Sequence, residues 1–252
     1  MNPWCIATPI TLAAAAVTAY GAVNPRSELF GPMVWRTKSP RKLAITFDDG
    51  PNPKITPELL NLLERYEARA TFFMVGRFAQ KCPDLVREIA VHGHTIANHT
   101  ATHANLFWST PAKIRQQIQQ CNDAIGTITG MSPKWLRPPW GMRNPWVIST
   151  ATDLGMRTAL WTILPGDWRV KPAAWLIKRM ESIARRAQVS RVAGNDASAA
   201  HGDVLCLHDG DYRFLNADRR VTVEAVEYWL PRWRDLGLEF VTIDEAVSLP
   251  AL

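Results

Sequence analysis

The pattern that most constrains the fold of this 252-residue chain is a repeated alternation of short apolar runs with segments of helical periodicity. Runs typical of buried strands occur seven times after residue 42, and each is followed by apolar residues at helical spacing. This alternation predicts parallel strands with crossover helices in one α/β domain. We expect a barrel, with an open doubly wound sheet as the alternative. The predicted strands are Leu43–Phe47, Ala70–Val75, His94–His99, Lys134–Pro138, Arg157–Ile163, Asp203–His208 and Leu238–Ile243.

Several helix boundaries and one loop can also be located in the sequence. Thr56, Thr110 and Asn144 each precede a proline, and a capping residue before a proline is typical of a helix N-terminus. The polar stretch Gln188–Gly202 predicts a long mobile loop. The apolar stripe of the first helix after the first predicted strand consists of Leu59, Leu60, Leu62, Leu63 and Tyr66.

The N-terminal 42 residues differ from the rest of the chain. Residues 1–25 carry no charge, and the apolar segment 4–23 is about long enough to span a membrane. It is interpreted as a signal peptide or a membrane anchor. Residues 26–42 form a predicted basic linker, whose charge favours a cytoplasmic domain by the positive-inside rule. Residues 43–252 form the predicted catalytic domain, whose chemistry instead favours the cell envelope or secretion.

The composition excludes several other classes of protein. With 47% hydrophobic and 21% charged residues, the chain is neither disordered nor a multi-span membrane protein. The net charge is +6, but the basic residues are dispersed and match no nucleic-acid-binding motif, so no nucleic-acid partner is expected. The four cysteines form no C-x-x-C pair and are interpreted as buried thiols, with a disulfide as the alternative. The eleven tryptophans indicate either large core residues or flat platforms for a ligand.

Residues able to bind a metal follow two of the predicted strands. Asp48 and Asp49 end the first strand, and His99 and His103 follow the third. The spacing of the histidines would place both imidazoles on one face if this stretch were helical. One carboxylate and two histidines leave a divalent metal with open positions, which is typical of hydrolytic sites.

Three more predicted strands end in chemically reactive residues. Arg137 begins the motif R-P-P-W-G and could hold an aspartate ionised, while Asp167 follows the fifth strand. His208 follows an apolar strand and could donate a proton near neutral pH. The carboxyl ends of parallel strands meet at one edge of the sheet, where catalytic groups collect. Five such strand ends together favour an active site over five incidental surface residues.

These motifs resemble those of polysaccharide deacetylases with a NodB homology domain, carbohydrate esterase family 4. The shared motifs are T-F-D-D-G-P, H-T-A-T-H, R-P-P-W-G, the D-W of W-T-I-L-P-G-D-W, and L-x-L-H, in order from Thr46 to His208. The resemblance implies a distorted (β/α) barrel of about seven parallel strands in a single domain. It also implies a divalent metal, zinc foremost and cobalt or nickel as alternatives, bound by Asp49, His99 and His103.

The resemblance further implies a role for each remaining motif residue. Asp48 would be the general base, held in place by Arg137, and His208 would be the general acid, tuned by Asp167. The backbone N–H of the residue at Trp140 would stabilise the oxyanion. The groove for the sugar would be formed by Pro139, Trp140 and Trp168.

The sequence departs from the family pattern at two positions. Trp140 stands where the family commonly has tyrosine, which should spare catalysis and alter the groove. Leu164 stands near a position where many members have an acid, so the network there is expected to differ. Neither departure affects a proposed metal ligand or proton-transfer residue.

The resemblance implies a metal-dependent hydrolase that removes N-acetyl groups from an N-acetylglucosamine-containing polysaccharide, such as peptidoglycan, a chitin-like polymer or an exopolysaccharide. Two alternatives keep the chemistry, namely O-acetyl esters of xylan and an N-acyl lipid-linked sugar. A third is an inactive carbohydrate-binding protein, which would predict damage at the catalytic positions, and none of these positions is altered.

Overall fold

The computed structural model describes residues 15–193 and 201–247 and arranges them around one twisted sheet. The order of its strands is β1-β7-β2-β3-β4-β5-β6. β8 pairs with the first residues of β2, and β3 pairs with its last residues. Neighbouring strands are parallel except for β1 and β7. The strands are β1 (Arg36–Thr37), β2 (Lys42–Asp48), β3 (Thr71–Met74), β4 (Thr95–Asn98), β5 (Trp135–Leu136), β6 (Arg157–Thr158), β7 (Gly202–His208) and β8 (Glu239–Val241).

Helices connect the parallel strands and cover the outside of the sheet. The described residues contain a helix α1 at 15–23. The others are α2 (Thr56–Arg65), α3 (Gly76–Ala79), α4 (Pro83–Val91), α5 (Pro111–Thr129), α6 (Pro145–Asp153), α7 (Ala173–Ala193), α8 (Arg220–Asp235) and α9 (Ile243–Val247). All seven predicted strands are present, and the single-domain (β/α) architecture is confirmed. Six of the strands lie within about two residues of their predicted bounds, and the fifth is shorter than predicted.

An irregular segment after β6 curves the sheet back on itself. Only Arg157 and Thr158 of the predicted fifth strand form regular β-structure, but Ile163 makes a parallel bridge to β7. Thr162 N donates to Val204 O at 3.0 Å, and Cys206 N donates to Ile163 O at 2.9 Å. The two ends of the strand order are thereby joined, which makes the sheet a distorted barrel and not an open doubly wound sheet.

Apolar residues at helical spacing attach the helices to the sheet. The four predicted leucines of α2 are buried, and Tyr66 packs partly buried against the same core. Helices α7 and α8 contribute Met180 and Trp233 to this cluster, opposite Phe47 of β2. β2 and β7 are buried along almost their whole length, as expected for central parallel strands. The rigid centre of the sheet therefore ends at Asp48 and His208.

Two of the three predicted helix caps are confirmed. Thr110 Oγ1 accepts a hydrogen bond from Lys113 N at 3.3 Å, and Asn144 Oδ1 accepts one from Trp146 N at 3.1 Å. The prediction for Thr56 is wrong, because Ile55 occupies the N-cap and Thr56 is already helical. The Thr56 hydroxyl instead donates a hydrogen bond to the buried carboxylate of Asp209, which follows β7 directly.

The predicted loop Gln188–Gly202 is shorter than expected. Helix α7 continues to Ala193, and Gly202 already belongs to β7. No glycine or proline occurs between Pro172 and Gly194, so nothing in the sequence ends the helix before Ala193. Residues 194–200 lie outside the described residues.

Residues 22–42 pack onto the barrel. β1 pairs with β7, and Val34 N donates to Thr158 O at 2.9 Å, so the predicted basic linker contributes to the sheet. The guanidinium of Arg143 is fully buried and donates to the carbonyl oxygens of Ala22, Asn24 and Ser27. The folded unit therefore includes part of the chain before residue 43.

The described part of the chain contains no helix that is long and apolar enough to cross a membrane. The predicted signal or anchor segment 4–23 falls mostly outside the described residues. Cys82, Cys121 and Cys206 are free thiols, and the last two are buried, as predicted. Cys5 also lies outside the described residues.

Candidate active site

The loops at the carboxyl ends of the strands surround a cleft of about 380 Å³. Seven of the ten predicted site residues line it, together with residues that the sequence did not single out for a role. Arg137 and Asp167 lie directly behind it, in contact with Asp48 and His208. The lining residues are Asp48, Asp49, His99, His103, Trp140, Trp161, Leu164, Trp168, Cys206, His208, Asp211, Tyr212, Arg213 and Arg219.

The predicted metal ligands form one compact group. One ligand atom from each of Asp49, His99 and His103 lies within 4.8 Å of the other two. Asp49 Oδ1 is 3.1 Å from His103 Nε2 and 3.6 Å from His99 Nε2. All three side chains are buried, with side-chain exposures between 2% and 7%.

The ligand geometry depends on unusual backbone conformations and not on a helix. Residues 99–103 are not helical, so the condition under which His99 and His103 would share one face of a helix is not met. Asp49, Thr100 and His103 have φ angles of 72°, 69° and 59°, in the left-handed region. Such conformations cost of order 1–3 kcal/mol each and persist where the surroundings impose them. With these conformations, the side chains of Asp49, His99 and His103 converge from two separate loops.

The protonation of these residues suits a cation. His99 Nδ1 lies 2.8 Å from Arg137 O, so it donates to that carbonyl and Nε2 is left as the free acceptor. Burial lowers the pKa of His99 to about 4, which keeps the imidazole neutral. Burial raises the pKa of Asp49, but the nearby His103, His208 and His99 together lower it by more, so the net pKa is well below its ordinary value.

A buried acceptor at the centre of the group has no partner among the described residues. Asp49 Oδ1 receives no hydrogen bond of acceptable geometry, although His103 Nε2 is close. A buried carboxylate oxygen without a partner is costly. A divalent cation among one carboxylate and two imidazole nitrogens would satisfy it, and this donor set is one that zinc accepts. Asp49, His99 and His103 therefore fit a divalent metal.

Asp48 belongs to a different network from its neighbour Asp49. Arg137 Nη1 donates to Asp48 Oδ1 at 2.7 Å and to Thr46 Oγ1 at 2.7 Å, and the guanidinium is fully buried. Cys206 Sγ donates to Asp48 Oδ2 at 3.3 Å. Adjacent residues of a strand end point to different partners, as the sequence predicts. Asp48 is thus fixed in position with one oxygen near His99, at 3.9 Å from Nε2.

Arg137 is held from its other side by the barrel itself. Its Nη2 donates to Leu160 O at 3.0 Å, and its guanidinium lies 4.0 Å from the centre of the Phe73 ring. Leu160 belongs to the irregular segment after β6 that closes the sheet. The position of Asp48 is therefore tied to the closure of the barrel.

His208 forms an ion pair with Asp167 and lies beside Asp48, its register partner on the neighbouring strand β2. His208 Nδ1 lies 2.8 Å from Asp167 Oδ1, and Asp167 Oδ2 accepts from His208 N at 2.7 Å and from Thr222 Oγ1 at 2.9 Å. Burial lowers the pKa of His208, but the Asp167 carboxylate raises it by more, to about 9. His208 is therefore protonated at neutral pH.

Aromatic side chains form the walls of the cleft. Trp140 is 47% exposed and Trp168 is 41% exposed, and they contact His103 and His208 with ring centres 4.3 and 5.2 Å apart. Pro139 is buried and is not among the residues that line the cleft, so its predicted contact with substrate has no support here. The turn that presents Trp140 has φ angles of 56° and 67° at Trp140 and Gly141. A side chain at Gly141 would collide with Trp161.

The structure adds residues that the sequence did not assign to the site. Tyr212 stacks on His103 with ring centres 4.2 Å apart and an interplanar angle of 12°. Trp161 and Leu164 line the cleft beside Cys206, and Arg213 and Arg219 lie at its rim. The five residues after His208 read D-G-D-Y-R, and their polar and aromatic character at a strand end was the available signal.

Comparison with known proteins places this arrangement in a family. The polysaccharide deacetylase family model matches residues 36–159. The chain is 37% identical over 216 residues to a peptidoglycan-N-acetylglucosamine deacetylase of Bacillus cereus, which covers 85% of this chain and 92% of that protein. The chain belongs to the polysaccharide deacetylase family.

Further members of the polysaccharide deacetylase family support the assignment. A chitooligosaccharide deacetylase of a Bradyrhizobium species is 30% identical over 207 residues, covering 79% of this chain and 87% of that protein. The crystal structure of a peptidoglycan N-acetylglucosamine deacetylase in complex with an N-oxidanyl-benzamide superposes with a TM-score of 0.73 at 26% identity, over 85% of this chain and 92% of that one. As a polysaccharide deacetylase, the chain is a hydrolase of carbon–nitrogen bonds other than peptide bonds.

Proposed function

We propose that the protein removes N-acetyl groups from an N-acetylglucosamine-containing polysaccharide of the cell envelope, with a divalent metal as cofactor. The observation that carries this proposal is the placement of three features in one cleft. These are the Asp49–His99–His103 group, the Arg137-bound carboxylate of Asp48 and the Asp167-bound imidazole of His208. Family relatives named for deacetylation of peptidoglycan and chitooligosaccharides support the substrate class.

Asp49, His99 and His103 would hold the metal, with zinc as the first candidate and cobalt or nickel as alternatives. A divalent ion supplies Lewis acidity, which polarises the amide carbonyl and lowers the pKa of a bound water. The chain contributes a dry, buried setting for that charge, because the three ligand side chains are at most 7% exposed.

Asp48 is assigned the role of general base. Its ion pair with Arg137 and its hydrogen bond from the Cys206 thiol hold the carboxylate in position. A carboxylate beside the ligand group can accept the proton of an attacking water. Positioned bases of this kind contribute about 10²–10⁴-fold to rates.

His208 is assigned the role of general acid. An amide is a poor leaving group, so the departing amine nitrogen must receive a proton as its bond to the acyl carbon breaks. Because Asp167 raises the pKa of His208 to about 9, the imidazolium is present at neutral pH and can donate that proton from Nε2. The acid and the base are neighbours across the adjacent strands β2 and β7. The products are acetate and a free amino sugar.

The turn at Trp140 is assigned to oxyanion and sugar binding. The backbone N–H of Trp140 would stabilise the charge that develops on the carbonyl oxygen, as donors fixed in advance do in acyl transfer. The exposed indoles of Trp140 and Trp168 would pack against sugar rings on either side of the scissile bond. A cell-envelope polymer as substrate favours a location in the envelope or outside the cell, with the apolar residues ahead of Ala22 as a signal or anchor.

Acetate release by the purified protein tests this function. We expect hydrolysis of N-acetylglucosamine oligomers and peptidoglycan, loss of activity after chelation, and recovery with added zinc, cobalt or nickel. Acetylated xylan is the comparison substrate for O-deacetylation. If no N-acetylated substrate releases acetate with any of the three metals, but the glycans still bind, the protein is a carbohydrate-binding protein instead.

A further inference from the structure

The turn after His208 carries the densest group of cations at the rim of the cleft. Arg213 and Arg219 both line the cleft, and the only carboxylate that either contacts among the described residues is Asp211. Arg213 Nε and Nη2 donate to the two oxygens of Asp211 at 2.9 and 2.8 Å. Arg219 Nη2 donates to the same carboxylate at 3.1 Å. Two cations thus share one anion, which leaves an excess positive charge.

The two arginines differ in the exposure of their side chains, and therefore in whether a ligand can contact the guanidinium. The Arg219 side chain is 11% exposed and its Nε donates to Gly210 O at 2.7 Å, so it serves the turn. The Arg213 side chain is 60% exposed. Its Nη1 makes none of the hydrogen bonds to Asp211. Arg213 is therefore the cation of this pair that can contact a substrate.

The turn that presents Arg213 is fixed from several sides. Phe214 N donates to Asp211 O at 2.9 Å, and Arg213 N donates to Asp211 Oδ1 at 2.9 Å. The Arg77 guanidinium binds the carbonyl oxygen of Tyr212, whose ring stacks on the proposed metal ligand His103. Arg213 is thus placed one residue from a side chain that touches the catalytic centre. Preorganised groups lose less entropy when they bind a ligand.

The other charges of the cleft do not cancel this excess. Asp48 is neutralised by the buried Arg137, and Asp49 belongs to the proposed metal site. The half-buried ring of Tyr212 and the exposed ring of Phe214 flank the guanidinium, with ring centres 5.7 and 5.5 Å from Arg213 Cζ. A cation between two apolar rings suits a sugar that itself carries an anionic group. Nη1 of Arg213, which does not bond to Asp211, can donate a charge-assisted hydrogen bond to such a group.

We propose that Arg213 selects glycans that carry a carboxylate on a sugar or substituent next to the N-acetylated unit. The proposal rests on the proposed function and specifies the substrate class of the same cleft. It distinguishes carboxylate-bearing polymers, such as glycans with lactyl-ether or uronic acid groups, from neutral polymers of N-acetylglucosamine.

The test compares three matched substrates. They are a neutral N-acetylglucosamine oligomer, an oligomer of equal length with alternating lactyl-ether carboxylates, and the same oligomer with each carboxylate converted to its amide. For the unaltered protein we expect kcat/KM to be about tenfold higher on the carboxylate form than on the amide form, as for one charge-assisted hydrogen bond. This ratio should decrease as salt increases from 50 to 500 mM, because the group is exposed.

Variants separate this role from a general effect on the fold. Arg213→Gln should bring the carboxylate-to-amide ratio close to one, mainly through KM, and Arg213→Lys should restore part of it. Arg220→Gln is the matched control, because Arg220 pairs with Asp218 in the same i, i+2 relation and is similarly exposed, but does not line the cleft. It should leave the ratio unchanged.

Two results would overturn the proposal. One is equal kcat/KM for the carboxylate and amide forms in the unaltered protein. The other is an unchanged ratio in Arg213→Gln. Neither depends on which metal is used, and both presuppose measurable acetate release. If no substrate releases acetate, the proposed function fails first, and direct binding of the two oligomers then tests Arg213 on its own.

Discussion

His208 Nδ1 and Asp167 Oδ1 are 2.8 Å apart, and the same aspartate also accepts the backbone N–H of His208. The carboxylate therefore fixes the position of the imidazole and raises its pKa to about 9. A pKa raised in the folded state means that this pair stabilises the protein at low pH. The contribution is fully present below pH 6.5, the ordinary value for histidine, and is lost as the pH rises through about 9.

Replacing Asp167 by asparagine should shift the alkaline limit of activity. Without the carboxylate, burial lowers the pKa of His208, so the acid form disappears at a lower pH. We expect the alkaline limb of the kcat profile of Asp167→Asn to move down by at least one pH unit and kcat at pH 8 to decrease by about 10²-fold or more. The measurement is a pH–rate profile from 5 to 10. An unshifted limb would remove His208 as the titrating acid.

Asp48→Asn should abolish turnover without releasing the metal. The amide keeps the size of the carboxylate but cannot accept a proton from water, so we expect kcat to decrease by about 10²–10⁴-fold. Metal content, measured by elemental analysis after gel filtration, should stay at the level of the unaltered protein. Asp84→Asn, at a carboxylate with 97% side-chain exposure, is the control. Activity retained in Asp48→Asn would require a different base.

His103→Ala should lose the metal together with activity. A ligand that binds only the folded state stabilises it by about 4 kcal/mol at a thousandfold excess over Kd. We therefore expect zinc to raise the Tm of the unaltered protein and of His92→Ala, whose imidazole is exposed and away from the cleft. His103→Ala should show little or no such increase. An equal increase in both variants would place the metal elsewhere.

Arg137→Met should destabilise the fold as well as the site. The substitution leaves Asp48 as a buried charge without its partner, which costs about 3–5 kcal/mol in comparable cases. Arg87→Met removes an exposed ion pair with Asp84 and should change stability by less than about 1 kcal/mol. Urea unfolding of both variants provides the comparison. Similar midpoints for the two would show that Arg137 does not stabilise Asp48 in the way its contacts indicate.

The strand ends and their reactive residues could be predicted because both follow from short-range patterns. Buried parallel strands are continuous apolar runs, and the residue after such a run is placed at the edge of the sheet. Asp48, Arg137 and His208 were found in this way, and the structure brings them to one cleft.

Features that depend on long-range packing were not predictable from the same patterns. The stretch from His99 to His103 has helical spacing but not a helical backbone, because the left-handed φ of Thr100 is set by its surroundings. The role of Thr56 was missed because its partner, Asp209, is 153 residues away. Tyr212 and Arg213 follow a strand end as the other site residues do, but only the folded turn shows that they face the cleft.

The hydrogen bonds of Arg143 connect the turn at Trp140 to the N-terminal part of the chain. This arginine lies two residues after Gly141, in the turn that presents Trp140, and its buried guanidinium depends on carbonyl oxygens as early as Ala22. Proteolysis that removes residues up to and including Ser27 would take away three of the carbonyl oxygens that accept hydrogen bonds from Arg143. The guanidinium would then remain buried behind the turn with fewer partners. Removal of residues from the N-terminus keeps all these contacts only if the cut falls ahead of Ala22, so the catalytic turn depends on chain that lies far outside the shared motifs.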